Sequence, residues 1–130
     1  MGKLIVKIEK GTDLFGAWAE NVVGIYGQGE TVQETKDSIM DGIKAYKKYN
    51  EVIPEELEGD IEIEWTYDIP SLLQYYSGIF SKPALEKLTG INQKQFFHYA
   101  SGMVKPRPAQ RKKISEALHK LGAELMTVKL

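Results

Sequence analysis

The feature that most constrains this chain is a change in its hydrophobic pattern near residue 68. Before it, apolar and polar residues alternate over short runs, most clearly in Asp-Ile-Glu-Ile-Glu-Trp-Thr-Tyr at residues 60–67. Such alternation is typical of strands with one buried face. After residue 68 the apolar residues recur at helical spacing. Strands followed by helices predict the α+β class, divided into domains over residues 1–68 and 69–130.

The charges divide at nearly the same place. The chain of 130 residues holds 17 Lys and Arg against 18 Asp and Glu, a formal net charge of −1. Residues 1–76 hold 7 basic and 15 acidic residues, a balance of −8, whereas residues 77–130 hold 10 basic and 3 acidic residues, a balance of +7. This asymmetry predicts a nucleic-acid-binding half and an acidic half with a different partner.

The composition also excludes several classes of protein. The sequence has no Cys, which excludes disulfides, Cys-ligated zinc and thiol catalysis and fits a reducing compartment. No apolar run approaches the roughly 20 residues of a membrane span, and the first apolar stretch is too short for a signal peptide. We therefore expect a cytoplasmic protein that has no membrane partner.

The N-terminal half predicts the element order β-β-β-α-β. Strand-like runs at residues 4–10, 15–22 and 25–26 are close enough to form an antiparallel meander, and the last is followed by a bend at residues 27–29. Thr31 and Glu34 make a capping box at the start of an amphipathic helix that ends at Asn50. Residues 60–67 then supply the fourth strand. A small sheet with one helix laid on it is expected.

The C-terminal half predicts four helices, which begin at Ser71, Ser81, Gln93 and Pro108. The first is expected to end at Ile79. Gly90 and Gly102 supply the turn and stop that flank the third helix. The last helix carries an apolar stripe of Ile114, Ala117, Leu118, Leu121 and Leu125. Residues 126–130 alternate and could add a terminal strand, including to a second subunit.

Two helices joined by a short turn make a helix-turn-helix, whose second helix enters the major groove of DNA. Phe96 and Tyr99 are expected to be buried and to anchor this helix. Amides suit the edge of adenine, Lys suits guanine or a phosphate, and an aromatic ring can touch the methyl group of thymine. The residues expected to read bases are Asn92, Gln93, Lys94, Gln95, Phe97 and His98. Because operators are symmetric, a homodimer or tetramer is expected.

Residues 90–106 contain Gly-Ile-Asn-Gln, Tyr-Ala-Ser-Gly and Lys-Pro in this order, and they resemble the phage-repressor (XRE-type) helix-turn-helix family. The resemblance implies that Gln93, Lys94 and His98 contact bases. It also implies contacts to the DNA backbone from nearby basic residues, namely Lys82, Lys105, Arg107 and Arg111. The sequence departs from the family at Glu86, where a small residue is usual four positions before the turn glycine.

Residues 24–34, Gly-Ile-Tyr-Gly-Gln-Gly-Glu-Thr-Val-Gln-Glu, resemble the HicB antitoxin family, whose hallmark is Gly-Cys-x-x-x-Gly-x-Thr-x-Glu-Glu-Ala. The resemblance covers residues 3–67 and departs at Val23, Ile25 and Thr35. It implies a partial RNase H-like fold without nuclease activity, which binds and neutralises a HicA-type mRNA interferase. It also implies a DNA-binding half that represses the operon of the pair. The motif assigns no toxin-contacting residue, since its glycines and Thr31 shape the fold.

Other kinds of site fit the residues less well. A phosphate cradle at residues 24–31 would need Lys before Thr31, where Glu30 stands. Glu62 and Glu64 suggest a nuclease metal site, but alternating Glu on a strand is more typical of a solvated face. His98 and His119 lie in separate helices without Cys partners. No catalytic residue, metal site or cofactor is predicted.

The sequence thus predicts an antitoxin and transcriptional repressor that is not an enzyme, with a HicA-type toxin, operator DNA and a second copy of itself as partners. The alternative is a DNA-binding regulator whose N-terminal domain senses a small ligand. An RNase H-like nuclease is a third interpretation.

Overall fold

The computed structural model describes residues 2–130 and shows a mixed α+β protein, which confirms the predicted class. Its elements are β1 Gly2–Lys10, β2 Phe15–Ala19, β3 Tyr26–Gly29, α1 Val32–Tyr49, β4 Ile61–Tyr67, α2 Ile69–Tyr75, α3 Lys82–Thr89, α4 Gln93–Ser101 and α5 Pro108–Met126. A 3-10 turn, Glu55–Leu57, precedes β4. The chain divides into two compact units, one ending at Tyr75 and one covering Tyr76–Leu130. We call them the acidic unit and the basic unit.

The division between the units lies after α2, later than the expected boundary at residue 68. Asp68 starts α2 directly behind β4, since its Oδ1 accepts a hydrogen bond from the backbone N of Ser71 at 2.9 Å. Gln74 of α2 accepts one from the backbone N of Val32, an open donor at the start of α1, also at 2.9 Å. The helix expected over residues 71–79 therefore covers 69–75 and belongs to the acidic unit. The balances of −8 and +7 describe the two units as observed.

The sheet of the acidic unit has the strand order β3-β2-β1-β4. The first three strands pair antiparallel, which confirms the meander, whereas β4 pairs parallel with β1. A parallel pair needs a crossover connection, and α1 provides it. One face of the sheet packs against α1 in a core that includes Leu4, Val6, Ile8, Ala17, Ile39 and Ile43. Glu62 and Glu64 lie on the opposite, exposed face.

Strand β2 ends at Ala19, although extended structure was expected to continue to residue 22. The side chain of Asn21 takes over the pairing with β1. Its Oδ1 accepts from the backbone N of Ile5 and its Nδ2 donates to the backbone O of Lys3, both at 2.9 Å. A side chain thus completes hydrogen bonds that a longer strand would have made.

The glycines at residues 27–29 form strand β3, so the bend expected there is wrong. Gly27 and Gly29 do not have positive φ, whereas Gly24 has a φ of +100°. A Cβ on Gly29 would lie 2.6 Å from Cβ of Glu34 and 2.8 Å from the backbone N of Thr35. These two glycines therefore allow α1 to approach the sheet closely, which no larger residue would permit.

The caps of α1 agree with the sequence. Thr31 Oγ1 accepts a hydrogen bond from the backbone N of Glu34 at 3.1 Å, and Asn50 ends the helix. The Glu34 carboxylate closes the capping box one residue earlier than usual, since it accepts from the backbone N of Glu30 at 2.9 Å. The acidic residue in the first turn and the two lysines in the last turn complement the helix dipole.

Lys36 of α1 lies among three aromatic rings of the same unit. Its Nζ is 3.9 Å from the ring centre of Tyr75, 4.9 Å from that of Trp65 and 5.1 Å from that of Tyr67. Partial burial lowers the pKa of Lys36, but hydrogen bonds to Tyr67 and Tyr75 outweigh it and hold the pKa above its usual 10.5. The side chain is therefore a fixed cation that joins α1 to β4 and α2.

Replacing Lys36 by Met should lower the free energy of unfolding of the acidic unit by about 1–2 kcal/mol, because it removes the cation and keeps the apolar stem. Because the pKa of Lys36 in the folded unit is above the usual 10.5, the stability that its cation contributes is fully present below pH 10.5. This stability is lost as the pH rises through the pKa of the folded unit. Urea unfolding at pH 7 and above pH 10.5 would measure both effects. Lys44→Met removes an exposed lysine of the same helix and should change little; equal losses in the two variants would contradict the role of the rings.

The C-terminal segment forms no strand in this chain. Helix α5 runs to Met126, and residues 127–130 follow it without regular structure. Of the predicted apolar stripe, Ile114 is fully buried, the middle residues are half-buried, and Leu125 is 60% exposed. Within residues 2–130, no helix has both the length and the apolar character needed to cross a membrane.

Candidate nucleic-acid interface

Helices α3 and α4 of the basic unit are joined by a turn that the sequence specifies closely. Ser81 Oγ caps α3 by accepting from the backbone N of Ala84 at 3.1 Å. Gly90 ends α3 in the left-handed conformation with a φ of +77°, and its N–H donates to the carbonyl of Glu86 at 2.7 Å. Asn92 then starts α4. Both predicted caps and the turn glycine are confirmed.

The inner face of α4 is fixed in the core of the basic unit. Phe96 is fully buried and Tyr99 nearly so, with their rings edge to face and 6.0 Å apart. They are buried together with residues of the neighbouring elements, namely Leu85, Ile91 and Ile114. The predicted anchoring by Phe96 and Tyr99 is confirmed, and it gives α4 a defined outer face.

The residues expected to read bases differ in their exposure and in their position around the axis of α4. Lys94, Phe97 and His98 are exposed, and helical geometry places them on one outer face of α4. Gln93 lies at the edge of that face and is half-buried, whereas Gln95 lies on the other flank of the helix, about 200° around the axis from Gln93. Asn92 uses its Oδ1 to accept from the backbone N of Lys94 at 2.8 Å, so its carbonyl oxygen is engaged in capping.

Lys82 at the start of α3 contacts the outer face of α4. Its Nζ lies 4.6 Å from the ring centre of Phe97, and the side chain is half-buried. A cation over an aromatic face is held by the negative charge of the ring face. Lys82 and Phe97 thus form one surface feature, which places a positive charge beside the exposed residues of α4.

The other residues expected at the DNA backbone are exposed. Lys105 and Arg107 lie between α4 and α5 with both side chains in solvent. Arg111, on the first turn of α5, donates from Nη1 to the carbonyl of Pro106 at 3.0 Å. A guanidinium has five N–H donors, so Arg111 keeps donors for another partner.

Glu86 is the residue of this region whose role the sequence did not predict. Its Oε2 accepts a hydrogen bond from Nε2 of Gln93 at 3.3 Å, which joins the side chains of α3 and α4 across the turn. In the sequence Glu86 is only a departure from the small residue usual at its position. The contact depends on how the two helices cross, which their spacing of seven residues does not reveal.

The acidic unit has an open groove on the exposed face of its sheet. The groove has a volume of about 450 Å³, and its walls include Leu14, Trp18 and Tyr26. Gly16 lies at its floor, where an added Cβ would meet no atom within 4 Å. For the part of the chain described, no three His, Asp or Glu side chains form a group that could hold a metal ion.

Comparisons with protein-family models, curated proteins and solved structures gave no match for this chain.

Proposed function

We propose that this protein is an antitoxin that also represses its own operon. In this proposal α3 and α4 form a helix-turn-helix that binds operator DNA, with α4 in the major groove. The main support for this proposal is the outer face of α4, which presents Gln93, Lys94, Phe97 and His98. The opposite face of the helix is held in place by the buried Phe96 and Tyr99. A helix held by its inner face can present side chains to base edges in a fixed orientation.

The electrostatics of the basic unit support binding to DNA. The unit carries a balance of +7, and nearly all of its Lys and Arg side chains are exposed. Contacts to phosphates supply much of the affinity for DNA and position the protein along the duplex. Because operators of this kind are symmetric, the protein is proposed to bind as a homodimer or tetramer.

The acidic unit is proposed to be a partial RNase H-like domain that binds a HicA-type toxin. Its order of three strands, a helix and a fourth strand agrees with the fold that the HicB resemblance implies. Its balance of −8 would attract a small basic RNA-binding protein and compete with RNA for it. Electrostatic attraction of this kind raises the association rate and excludes acidic partners.

Co-expression with a neighbouring reading frame that encodes a short basic protein would test the antitoxin role. We expect the two proteins to co-purify, and the chain to restore growth that the partner alone arrests. The acidic unit should be sufficient for capture, so Gln93→Ala should still rescue growth. Growth arrest that persists with the chain present, without co-purification, would rule out the antitoxin role.

Replacing Gln93 by Ala should weaken binding to the operator by about 1–3 kcal/mol and relax the base preference at one position. The slope of log affinity against log salt should stay the same, because Gln93 contacts no phosphate. Lys105→Ala is the matched control: it should weaken binding to all sequences alike and reduce the salt slope by about 1. Titrations of selected and unrelated duplexes at several salt concentrations would measure this. Unchanged affinity and base preference in Gln93→Ala would contradict the assignment of α4.

The groove of the acidic unit favours a second candidate function, a DNA-binding regulator that senses a small ligand. An open site of about 450 Å³ walled by Trp18 and Tyr26 could accept a compact apolar or aromatic molecule. Fluorescence of Trp18 during screening with small aromatic compounds would test it, measured in a Trp65→Phe variant in which Trp18 is the single Trp. A ligand that quenches this fluorescence and changes operator affinity would favour the sensor, and a compound set without such an effect would favour the antitoxin.

A further inference from the structure

The contact between Glu86 and Gln93 has a consequence for how α4 would read DNA. Glu86 lies on α3 and Gln93 is the first residue of α4, and both side chains are half-buried. Oε2 of Glu86 accepts from Nε2 of Gln93 at 3.3 Å. Within residues 2–130 Glu86 forms no ion pair, so the amide of Gln93 is the partner of its carboxylate.

A carboxylate fixes which way an adjacent amide is turned. An ionised Glu has only acceptor oxygens, whereas the end of a Gln side chain has a donor NH₂ on one side and an acceptor carbonyl on the other. Turning the amide of Gln93 by 180° would bring its carbonyl oxygen against the Glu86 carboxylate and replace a hydrogen bond by repulsion. Glu86 therefore holds the NH₂ group of Gln93 towards α3 and leaves its carbonyl oxygen and second N–H available.

We propose that Glu86 is a positioning residue that makes Gln93 specific for adenine. This inference rests on the proposed role of α4 in reading DNA. In the major groove adenine offers an acceptor at N7 and a donor at N6, which match the free N–H and carbonyl oxygen of the oriented amide. Guanine offers two acceptors, N7 and O6, and so repels the carbonyl oxygen. An amide free to turn could present its NH₂ group alone to N7 and O6 of guanine, whereas the oriented amide keeps its carbonyl oxygen against O6 and disfavours guanine.

Apart from its contact with Gln93, the negative charge of Glu86 is unfavourable for binding DNA. The basic unit has only three acidic residues, Glu86, Glu116 and Glu124, and a carboxylate near the DNA-binding helix opposes attraction to phosphates. Glu116 is exposed and lies 3.9 Å from Lys112 on its own helix. The carboxylate of Glu86 thus lowers the affinity for DNA of any sequence. By orienting Gln93, the same carboxylate contributes to sequence specificity.

Glu86→Gln tests the proposal without creating a cavity. A Gln at position 86 can accept from the Gln93 amide or donate to it, so both orientations of Gln93 become possible. Duplexes selected by the full-length wild-type chain from a randomised pool would first identify the base pair read by Gln93, as the position whose preference Gln93→Ala removes. Affinities are then measured for duplexes with adenine or guanine at that position.

We expect the wild-type chain to prefer adenine by about tenfold and Glu86→Gln to reduce the preference to about twofold. Overall affinity should stay the same or rise, because a negative charge is removed. Glu116→Gln makes the same charge change away from Gln93 and should keep the tenfold preference. Preferences at base pairs that do not depend on Gln93 should be the same in Glu86→Gln as in the wild-type chain, whereas a merely structural role of Glu86 would change them as well.

The outcomes separate the two proposals. A preference that depends on Gln93 but is the same in Glu86→Gln as in the wild-type chain would overturn the role of Glu86 and leave α4 as the reading helix. A Gln93-dependent preference for guanine would also overturn it. If the wild-type chain enriches no sequence from the pool, the proposed DNA-reading function fails, and the role of Glu86 fails with it. Circular dichroism of each variant would show that the helices remain folded.

Discussion

Replacing Phe96 by Ala is expected to unfold the basic unit and abolish DNA binding while the acidic unit stays folded. Phe96 is the largest fully buried side chain in the described part of the chain, and its ring packs against that of Tyr99. Removing such a side chain costs about 3–5 kcal/mol. A unit of roughly 55 residues has only about 3–5 kcal/mol of stability in total, so the loss removes most or all of it.

The two units can be followed separately in the same sample. The chain has two Trp, Trp18 and Trp65, and both lie in the acidic unit, so Trp fluorescence reports on that unit alone. In Phe96→Ala the unfolding transition seen by Trp fluorescence should be unchanged. The helical circular dichroism of α3, α4 and α5 should be lost while that of α1 and α2 remains, and DNA binding should be lost.

Phe97→Ala is the matched control for Phe96→Ala, because it deletes the same atoms from the neighbouring residue of α4. Phe97 is 58% exposed, and the ammonium of Lys82 lies 4.6 Å from the centre of its ring. The substitution should cost less than about 1 kcal/mol and alter DNA binding without unfolding the unit. Similar losses of stability in the two variants would show that the inner and outer faces of α4 are assigned wrongly.

Replacing Gly29 by Ala should destabilise the acidic unit by about 3 kcal/mol, at the upper end of the cost of overpacking. The new Cβ would lie 2.6 Å from Cβ of Glu34 and 2.8 Å from the backbone N of Thr35, so α1 must move away from β3. Urea unfolding followed by Trp fluorescence would measure the change. At low urea the basic unit should still bind DNA, because its fold does not include this contact.

Gly16→Ala is the corresponding control in the same sheet. A Cβ on Gly16 would meet nothing within 4 Å, so this substitution should change stability by no more than about 0.5 kcal/mol. If Gly29→Ala is as mild as Gly16→Ala, the close approach of α1 to β3 does not depend on the glycine.

The local signals in the sequence predicted most of the elements. Thr31, Ser81 and Asn92 start helices where their side-chain oxygens can accept from open backbone N–H groups, and Gly90 and Gly102 end helices in the left-handed conformation. Each of these signals depends only on residues within one turn of the chain. For the same reason the alternation of apolar and polar residues predicts the alternating burial of β1 and β4.

The errors arose where a residue has a distant partner. Gly27 and Gly29 have the composition of a bend, yet they form β3 because they pair with Ala17 and Phe15 of β2. Helix α2 has the periodicity of the helices that follow it, yet it joins the acidic unit through the contact of Gln74 with the start of α1. Gly29 lies 14 residues from Phe15, and Gln74 lies 42 residues from Val32, so pattern and propensity within one segment could not identify either pairing.

For the candidate site, the two opposite charge balances, the helix caps and the buried and exposed faces of α4 are all predictable from the sequence. These follow from composition, side-chain chemistry and the helical repeat, which are properties of neighbouring residues. The position of Lys82 over Phe97 and the hydrogen bond between Glu86 and Gln93 follow from the tertiary packing of the helices. Both contacts depend on the crossing of α3 and α4, which is set by the packing of their buried side chains and is not encoded in any local pattern.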